Sequence, residues 1–87
     1  MLQVYKYPIY DNAVIEMPMG AKIIHVDIQL SHESQISLWA IVDPKKETEK
    51  RNFVIYGTGW DLSEDKMNHI GTVMDGIFVW HIFEVLK

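Results

Sequence analysis

The stretches KIIHVDIQL at residues 22–30 and QISLWAIVD at residues 35–43 decide the fold class of this chain. In both stretches apolar side chains recur at every second position, which is the period of a half-buried β-strand. In the first strand Ile24 and Val26 share the face that we expect to be buried. The polar residues SHES at 31–34 join the two stretches, so the whole segment predicts an antiparallel hairpin.

Five further segments are rich in β-forming residues and end at turn residues. They lie at residues 2–7, 13–17, 52–57, 70–74 and from residue 77 onward. Asp11 and Asn12 predict a turn that makes residues 2–17 a first hairpin. Asp75 and Gly76 form a strong two-residue hairpin signal, which predicts that the last two strands close the fold as a second local pair.

Two segments between the predicted strands have a different character. The charged segment KKETEKR at residues 45–51 mixes both signs, which is typical of a solvated loop. Residues 62–69 are the only stretch with helical character, because Ser63 can cap a turn that Glu64 and Asp65 lead. We therefore expect an exposed loop and one short helical turn.

The strand count and the chain length together define the expected fold. Six or seven strands with short polar connections favour a mainly β protein, built as an antiparallel sandwich or a partly open barrel. A chain of 87 residues has enough apolar surface for one core only. The sequence therefore predicts a single β domain over residues 1–87.

The amino-acid composition limits which cellular compartment and which classes of partner we expect. The chain has no cysteine, which excludes a disulfide scaffold and a thiolate zinc site and is compatible with a reducing compartment. The N-terminus lacks the features of a secretory signal, and no apolar run reaches the ~18 to 20 residues that cross a bilayer. With a formal net charge of -4, the chain is a poor partner for a nucleic-acid backbone. We expect a cytoplasmic protein without membrane or nucleic-acid partners.

The final strand carries more apolar surface than one small core needs. Val79 and Phe83 lie on one face, and Trp80 and Ile82 lie on the other. An 87-residue domain has little material with which to cover both faces. We therefore expect a homo-oligomer, in which a second copy covers part of this surface.

The loop Gly57-Thr58-Gly59-Trp60-Asp61 is the best candidate for a binding site. It offers free amides, a hydroxyl, an indole and a carboxylate within five residues, although it has neither the third glycine of a dinucleotide fingerprint nor the lysine of a phosphate loop. The simpler interpretation is a glycine turn with Trp60 packed over it. The predicted ligand-binding residues are Arg51, Gly57, Thr58, Gly59, Trp60, Trp80 and His81.

Catalysis, metals and cofactors find little support in the sequence. The four histidines show neither an HxH nor an HExxH spacing, so we expect no metal site, even at His25 and Asp27 on one strand. Thr58, His81 and Asp61 are the only nucleophile set that can be assembled, and nothing in their spacing fixes its geometry. The sequence therefore predicts a protein that is not an enzyme and that has no cofactor.

Several segments together resemble a family of small bacteriophage proteins to which no activity is assigned. The resemblance spans roughly residues 3 to 84, and its more specific parts are YGTG at 56–59 and FVWHIFE at 78–84. The other similar segments are PMGAKIIHV at 18–26, LWAIVDP at 38–44, FVIYGTG at 53–59 and IGTV at 70–73. The resemblance implies expression in the cytoplasm of an infected bacterium, where small accessory proteins of this kind often bind and neutralise host components.

Three hypotheses about function follow from these observations. The leading hypothesis is a phage accessory protein that acts by binding and counters host defence by sequestering a nucleotide-like signalling molecule. The alternative is a protein–protein interaction module that blocks a host protein through Trp39, Ile41 and the aromatic side chains of the last strand. A hydrolase built on Thr58 and His81 ranks third.

Overall fold

Seven antiparallel β-strands make up the fold. The computed structural model describes residues 1–10, 12–29, 35–63 and 66–86. The strands are β1 (Gln3–Pro8), β2 (Ala13–Pro18), β3 (Lys22–Gln29), β4 (Gln35–Val42), β5 (Thr48–Gly57), β6 (Met67–Asp75) and β7 (Phe78–Val85). Among the described residues there is no helix of the length and hydropathy that would cross a membrane.

The strands form two open sheets. Sheet A has the order β1-β4-β3, and sheet B has the order β2-β5-β7-β6. The prediction of a mainly β, antiparallel fold of six to seven strands is confirmed, and the two sheets remain open rather than closing into a barrel.

Two of the predicted hairpins are confirmed, namely the one over residues 22–43 and the one formed by the last two strands. β3 pairs with β4, and β6 pairs with β7 through the two-residue turn after Asp75. The register of β3 shifts between Ile23 and His25, which makes Ile24 the extra residue of a bulge. Ile24 is consequently 47% exposed, so the expectation that it faces the core is wrong.

The predicted first hairpin over residues 2–17 is wrong. β1 pairs with β4 in sheet A, whereas β2 pairs with β5 in sheet B. Ile9 is buried, and its amide donates to the carbonyl of Ile36 at 2.9 Å, which holds the chain on sheet A beyond the end of β1. The next residues therefore cross between the sheets instead of reversing within one. Asn12 adopts a φ of 52°, and Asp11 lies outside the described residues.

The charged segment at residues 45–51 is not entirely a loop. β5 begins at Thr48, and residues 48–51 pair with the second half of β2, including Glu16 opposite Lys50. Opposite charges directly across a strand pair stabilise the pairing, so the mixed charges of this segment suit an exposed sheet edge as well as a loop.

The short helical turn predicted at residues 62–69 is also wrong where the structure describes it. Met67 and Asn68 belong to β6 and pair with Val85 and Glu84 of β7. Because β7 is long, its partner strand extends into residues whose local sequence favours a helix, and tertiary pairing overrides that preference. Glu64 and Asp65 lie outside the described residues.

The core lies between the two sheets and takes side chains from both. Val26 of β3 packs so closely on β6 that a Cβ atom on Gly71 would lie 2.1 Å from its Cγ1 atom. Glycine at position 71 therefore permits the approach of the two sheets at this edge. The buried hydrophobic cluster is Ile9, Met17, Ala21, Leu38, Ala40, Val42, Phe53, Val73 and Ile82.

Candidate binding cleft

An open cleft lies where the pairing of β5 with β7 ends. The last pair is Gly57 opposite Trp80, and beyond it the two chains diverge. Phe78 and Val79 continue to pair with β6 but have no partner on the β5 side. The resulting cleft has a volume of about 500 Å³ and lies between the turn after β5 and the first residues of β7. It is lined by Gly57, Thr58, Trp60, Ile77, Phe78, Val79 and Trp80.

A tight turn fixes one wall of this cleft. The amide of Trp60 donates to the carbonyl of Gly57 at 3.1 Å, and Gly59 has a φ of 87°, a conformation that favours glycine. The Trp60 indole folds back over the strand end, so that a Cβ atom on Gly57 would lie 2.8 Å from its Cε2 atom. The expected packing of Trp60 over the glycine turn is therefore present.

Three aromatic rings make up most of the cleft surface. Trp60 meets Trp80 edge to face, with ring centroids 5.6 Å apart and an angle of 78° between the planes. Phe78 stacks on Trp80 at 5.7 Å and 16°. Trp80 packs against the core, whereas Trp60 and Phe78 are 58% and 56% exposed. In this aromatic cluster the Trp80 ring is thus held against the core, and the rings of Trp60 and Phe78 are accessible to solvent.

A chain of hydrogen bonds runs along the outer face of sheet B beside the cleft. The Nε2 atom of His81 lies 2.7 Å from the Thr58 hydroxyl, and its Nδ1 atom lies 3.1 Å from the Thr72 hydroxyl. The Thr72 hydroxyl also lies 3.0 Å from Nε2 of His69. Thr58 and His81 are therefore brought together, but a threonine hydroxyl stands where a catalytic triad has its carboxylate.

Arg51 lies apart from the other six predicted site residues. It sits at the opposite end of β5, where its guanidinium makes two bonds to the Glu84 carboxylate, at 2.6 and 2.7 Å. A third bond, of 2.6 Å, reaches the carbonyl of Ala21. The hydrogen bond to Glu84 raises the pKa of Arg51 above its ordinary value. The expectation that Arg51 lies beside the glycine loop is wrong, because its charge is already engaged in closing the fold.

Two carboxylates lie near the cleft, of which the sequence places Asp61 in the candidate loop and predicts Asp75 only as a turn residue. Asp75 is directly opposite Phe78 in the β6–β7 pair, so their side chains share a face. Asp61 follows Trp60 in the chain and is exposed. The sequence signal at Asp75-Gly76 predicts a turn here, but the loop lies one residue later, at Gly76 and Ile77, and the resulting register places Asp75 opposite Phe78.

The outer face of sheet A carries a second candidate surface. Trp39 is half-buried, with its ring 5.5 Å from that of His25 and with Lys6 opposite it on β1. Farther along the same face Val4 lies opposite Ile41. An open cleft of about 460 Å³ is lined there by Leu2, Met19, Gly20, Lys22, Ile41, Asp43 and Lys46.

The histidines and acidic residues of the described segments do not assemble a metal-binding group of three or more. The nearest approach to one is His25 and Asp27, whose Nε2 and Oδ2 atoms are 3.5 Å apart on an exposed strand face.

Comparison with known proteins gives one match. The family model described as a domain of unknown function (DUF7352) matches residues 1–87, which is the whole chain. No curated protein and no solved structure matches the chain.

Proposed function

The chain belongs to the DUF7352 family over its whole length, and we propose that it is a non-enzymatic binding protein whose aromatic cleft captures a small molecule with a flat ring. The observation that carries this proposal is the exposure of Trp60 and Phe78 beside the supported ring of Trp80. Large aromatic faces that remain in water are costly to a small domain unless they serve an interaction.

The dimensions and shape of the cleft support a small ligand. Its volume of about 500 Å³ falls within the range of about 300 to 1,000 Å³ that is usual for small-molecule pockets. Thr58 lines the rim, and the backbone of Phe78 and Val79 offers an unpaired strand edge. A ring that stacks on Phe78 or Trp60 thus has polar groups nearby that can fix its orientation.

The ligand would be held through its ring rather than through phosphate groups. Among the residues that the structure describes, no lysine or arginine lines the cleft, and Arg51 already forms bonds with Glu84 and Ala21. Without a cation the negative charge of a phosphate would have no partner. For a phage accessory protein the wider role would be sequestration, in which many copies hold a signalling molecule through its base or another flat group.

The test is the response of the tryptophan indole N–H signals to a ring ligand in solution NMR. With nicotinamide as a neutral probe, the signals of Trp60 and Trp80 should shift together, while that of Trp39 on sheet A should stay in place. Trp60→Ala should weaken binding by about fivefold or more, because stacking on one aromatic side chain contributes roughly 1–3 kcal/mol. Trp39→Ala is the matched control, and equal loss in both variants would contradict the proposal.

A second candidate function is the blocking of a host protein through the outer face of sheet A. The observation in its favour is the run of apolar side chains at Leu2, Val4 and Met19, which are 64%, 56% and 50% exposed. Contiguous exposed apolar side chains on a small protein are typical of interaction sites. Lys22 and Lys46 at the rim would favour an acidic partner.

A substitution at the centre of the apolar face of sheet A distinguishes this candidate function from ligand binding in the aromatic cleft. Ile41→Asp should abolish recovery of a specific host protein from bacterial lysate, because it places a carboxylate in the middle of the apolar face. Trp60→Ala should leave the same recovery unchanged. If both variants capture the same protein as the unmodified chain does, sheet A is not the binding surface.

A further inference from the structure

We propose that the aromatic cleft selects an organic cation, namely a flat ring that carries an alkylated, permanently positive nitrogen. This inference rests on the proposed function, since it names the charge of the ligand that the cleft would take. It differs from the nucleotide-like ligand expected from the sequence, whose phosphates are negative.

The arrangement of the rings is the first step of the argument. The face of an aromatic ring is electron-rich, so a cation within about 6 Å of the ring centre is attracted to it. Trp60 stands nearly perpendicular to Trp80, and Phe78 lies nearly parallel to Trp80. A cation seated between the exposed faces of Trp60 and Phe78 would therefore meet two ring faces in different planes.

The charge around the rings is the second step. Asp75 lies directly across the β6–β7 pair from Phe78 and is half-buried, so the two side chains are neighbours on one face of the sheet. Within the described part of the chain Asp75 has no ion-pair partner. Asp61 adds a second exposed carboxylate next to Trp60. Carboxylates beside aromatic faces complement a positive ligand and repel a negative one.

The placement of the basic residues is the third step. Lys6 and Lys22 belong to sheet A, Lys50 and Arg51 lie at the other end of β5, and Lys66 lies beside Leu86 near the end of β7. His81 is on the opposite face of β7 from Trp80, between the hydroxyls of Thr58 and Thr72. None of these basic side chains thus occupies the place that a cationic ligand would take.

Three probes with one ring and different charges test the inference. They are 1-methylnicotinamide, which is positive, nicotinamide, which is neutral, and nicotinate, which is negative. Each is titrated into the full chain, and the shifts of the Trp60 and Trp80 indole N–H signals are recorded, with Trp39 as the internal reference. We expect the positive probe to bind about tenfold more tightly than the neutral one, and the negative probe to bind more weakly than both.

Substitution of Asp75 separates charge from structure. Asp75→Asn should reduce the affinity for 1-methylnicotinamide severalfold and leave that for nicotinamide unchanged, and it preserves the turn because Asp75 pairs with Phe78 and lies outside the two-residue loop of Gly76 and Ile77. Glu16→Gln removes an equal charge from the exposed edge strand β2 and should change neither affinity.

The outcomes distinguish this inference from the function it rests on. Equal binding of all three probes, or tighter binding of nicotinate, would overturn the selection of a cation and leave the aromatic binding function standing. An absence of shifts at Trp60 and Trp80 with every probe at millimolar concentration would overturn both.

Discussion

The two ends of β5 differ in how far their polar groups are paired and in how far their side chains are exposed. At its first half, Arg51 is held by Glu84 and by the carbonyl of Ala21, and the side chains of the ion pair are only 17% and 13% exposed. At its last residue, Gly57, the strand pairing stops and the neighbouring Trp60 is 58% exposed. At the Arg51 end, which we call the closed end, the charged groups are paired and largely buried. At the Gly57 end, which we call the open end, aromatic ring faces are exposed to solvent.

The difference shows which residues the fold needs and which it can spare for a ligand. The bond from Arg51 to Ala21 joins sheet B to the crossover between β2 and β3, where the Pro18 carbonyl also accepts a bond from the Ala21 amide at 3.1 Å. The turn at Gly57 makes its contacts within sheet B, where Thr58 lies beside His81 and Trp60 meets Trp80. Changes at the first end should therefore act on stability, and changes at the second end should act on binding.

The largest expected effect is at the closed end. Arg51→Ala should lower the free energy of unfolding by about 3 to 5 kcal/mol, because it leaves the Glu84 carboxylate largely buried without its partner. Chemical denaturation followed by circular dichroism measures this. Lys50→Ala, on the exposed side of the same strand, should change the value by less than about 0.5 kcal/mol.

The combination of Arg51→Met with Glu84→Leu sharpens that result. Methionine and leucine carry no charge, so this double variant leaves no unpaired carboxylate in the interior. It should therefore recover most of the unfolding free energy that Arg51→Ala loses. If the double variant is no more stable than Arg51→Ala, the loss in Arg51→Ala does not come from the unpaired Glu84 carboxylate.

The next effect is expected at the open end. Gly57→Ala should cost about 1 kcal/mol, because the added methyl group displaces the Trp60 ring. In a Trp60→Ala background the same substitution should cost only a few tenths of a kcal/mol. Thermal unfolding of the four proteins gives the coupling between the two positions, and a coupling near zero would show that the indole does not rest on Gly57.

A smaller effect is expected on the outer face of sheet B. Thr58→Val removes the hydroxyl next to Nε2 of His81, which should cost about 0.5 to 1 kcal/mol because the site is exposed and water can replace the bond. Nitrogen-detected NMR of the His81 ring should show the change, whereas Thr48→Val, at the start of β5, should leave that ring unaffected. An unchanged His81 spectrum would mean that the two side chains do not bond in solution.

The smallest effect concerns Tyr7 of β1 at alkaline pH. Burial, with a contribution from neighbouring Tyr5, raises the pKa of Tyr7 above its ordinary value. The protonated phenol therefore stabilises the fold fully below about pH 10, and this contribution is lost as the pH rises through the higher pKa of the folded state. Tyr7→Phe should flatten the decline in unfolding free energy between pH 9 and pH 11, while Tyr10→Phe should not.

The sequence predicted the parts of the fold that depend on neighbouring residues. The alternation in residues 22–30 and 35–43 and the turn at Asp75 each define a hairpin whose partners are adjacent in the chain. The pairings of β1 with β4 and of β2 with β5 depend instead on the burial of Ile9, which no local pattern reveals. Local periodicity determines the face of a strand but not the sheet to which it belongs.

The candidate site could be predicted only in part, because its composition also depends on how the strands pair. The glycine turn, Trp60 and Trp80 come together because Gly57 and Trp80 end the β5–β7 pairing. Arg51 was included because it lies a few residues before the turn, yet an extended strand carries it far from the cleft. Asp75 was recognised only as a turn residue, since its position beside Phe78 depends on the hairpin register.

The crossing of the chain between sheets at residues 9–12 also determines when the fold can assemble. β1 needs β4, and β2 needs β5, so the first two strands are made well before the segments that they pair with, at residues 35–42 and 48–57. During synthesis on the ribosome the N-terminal strands must wait, with their backbone groups in water, while the β3–β4 hairpin forms first. Pairing of the first two strands is thus delayed until the residues up to the end of β5 have emerged.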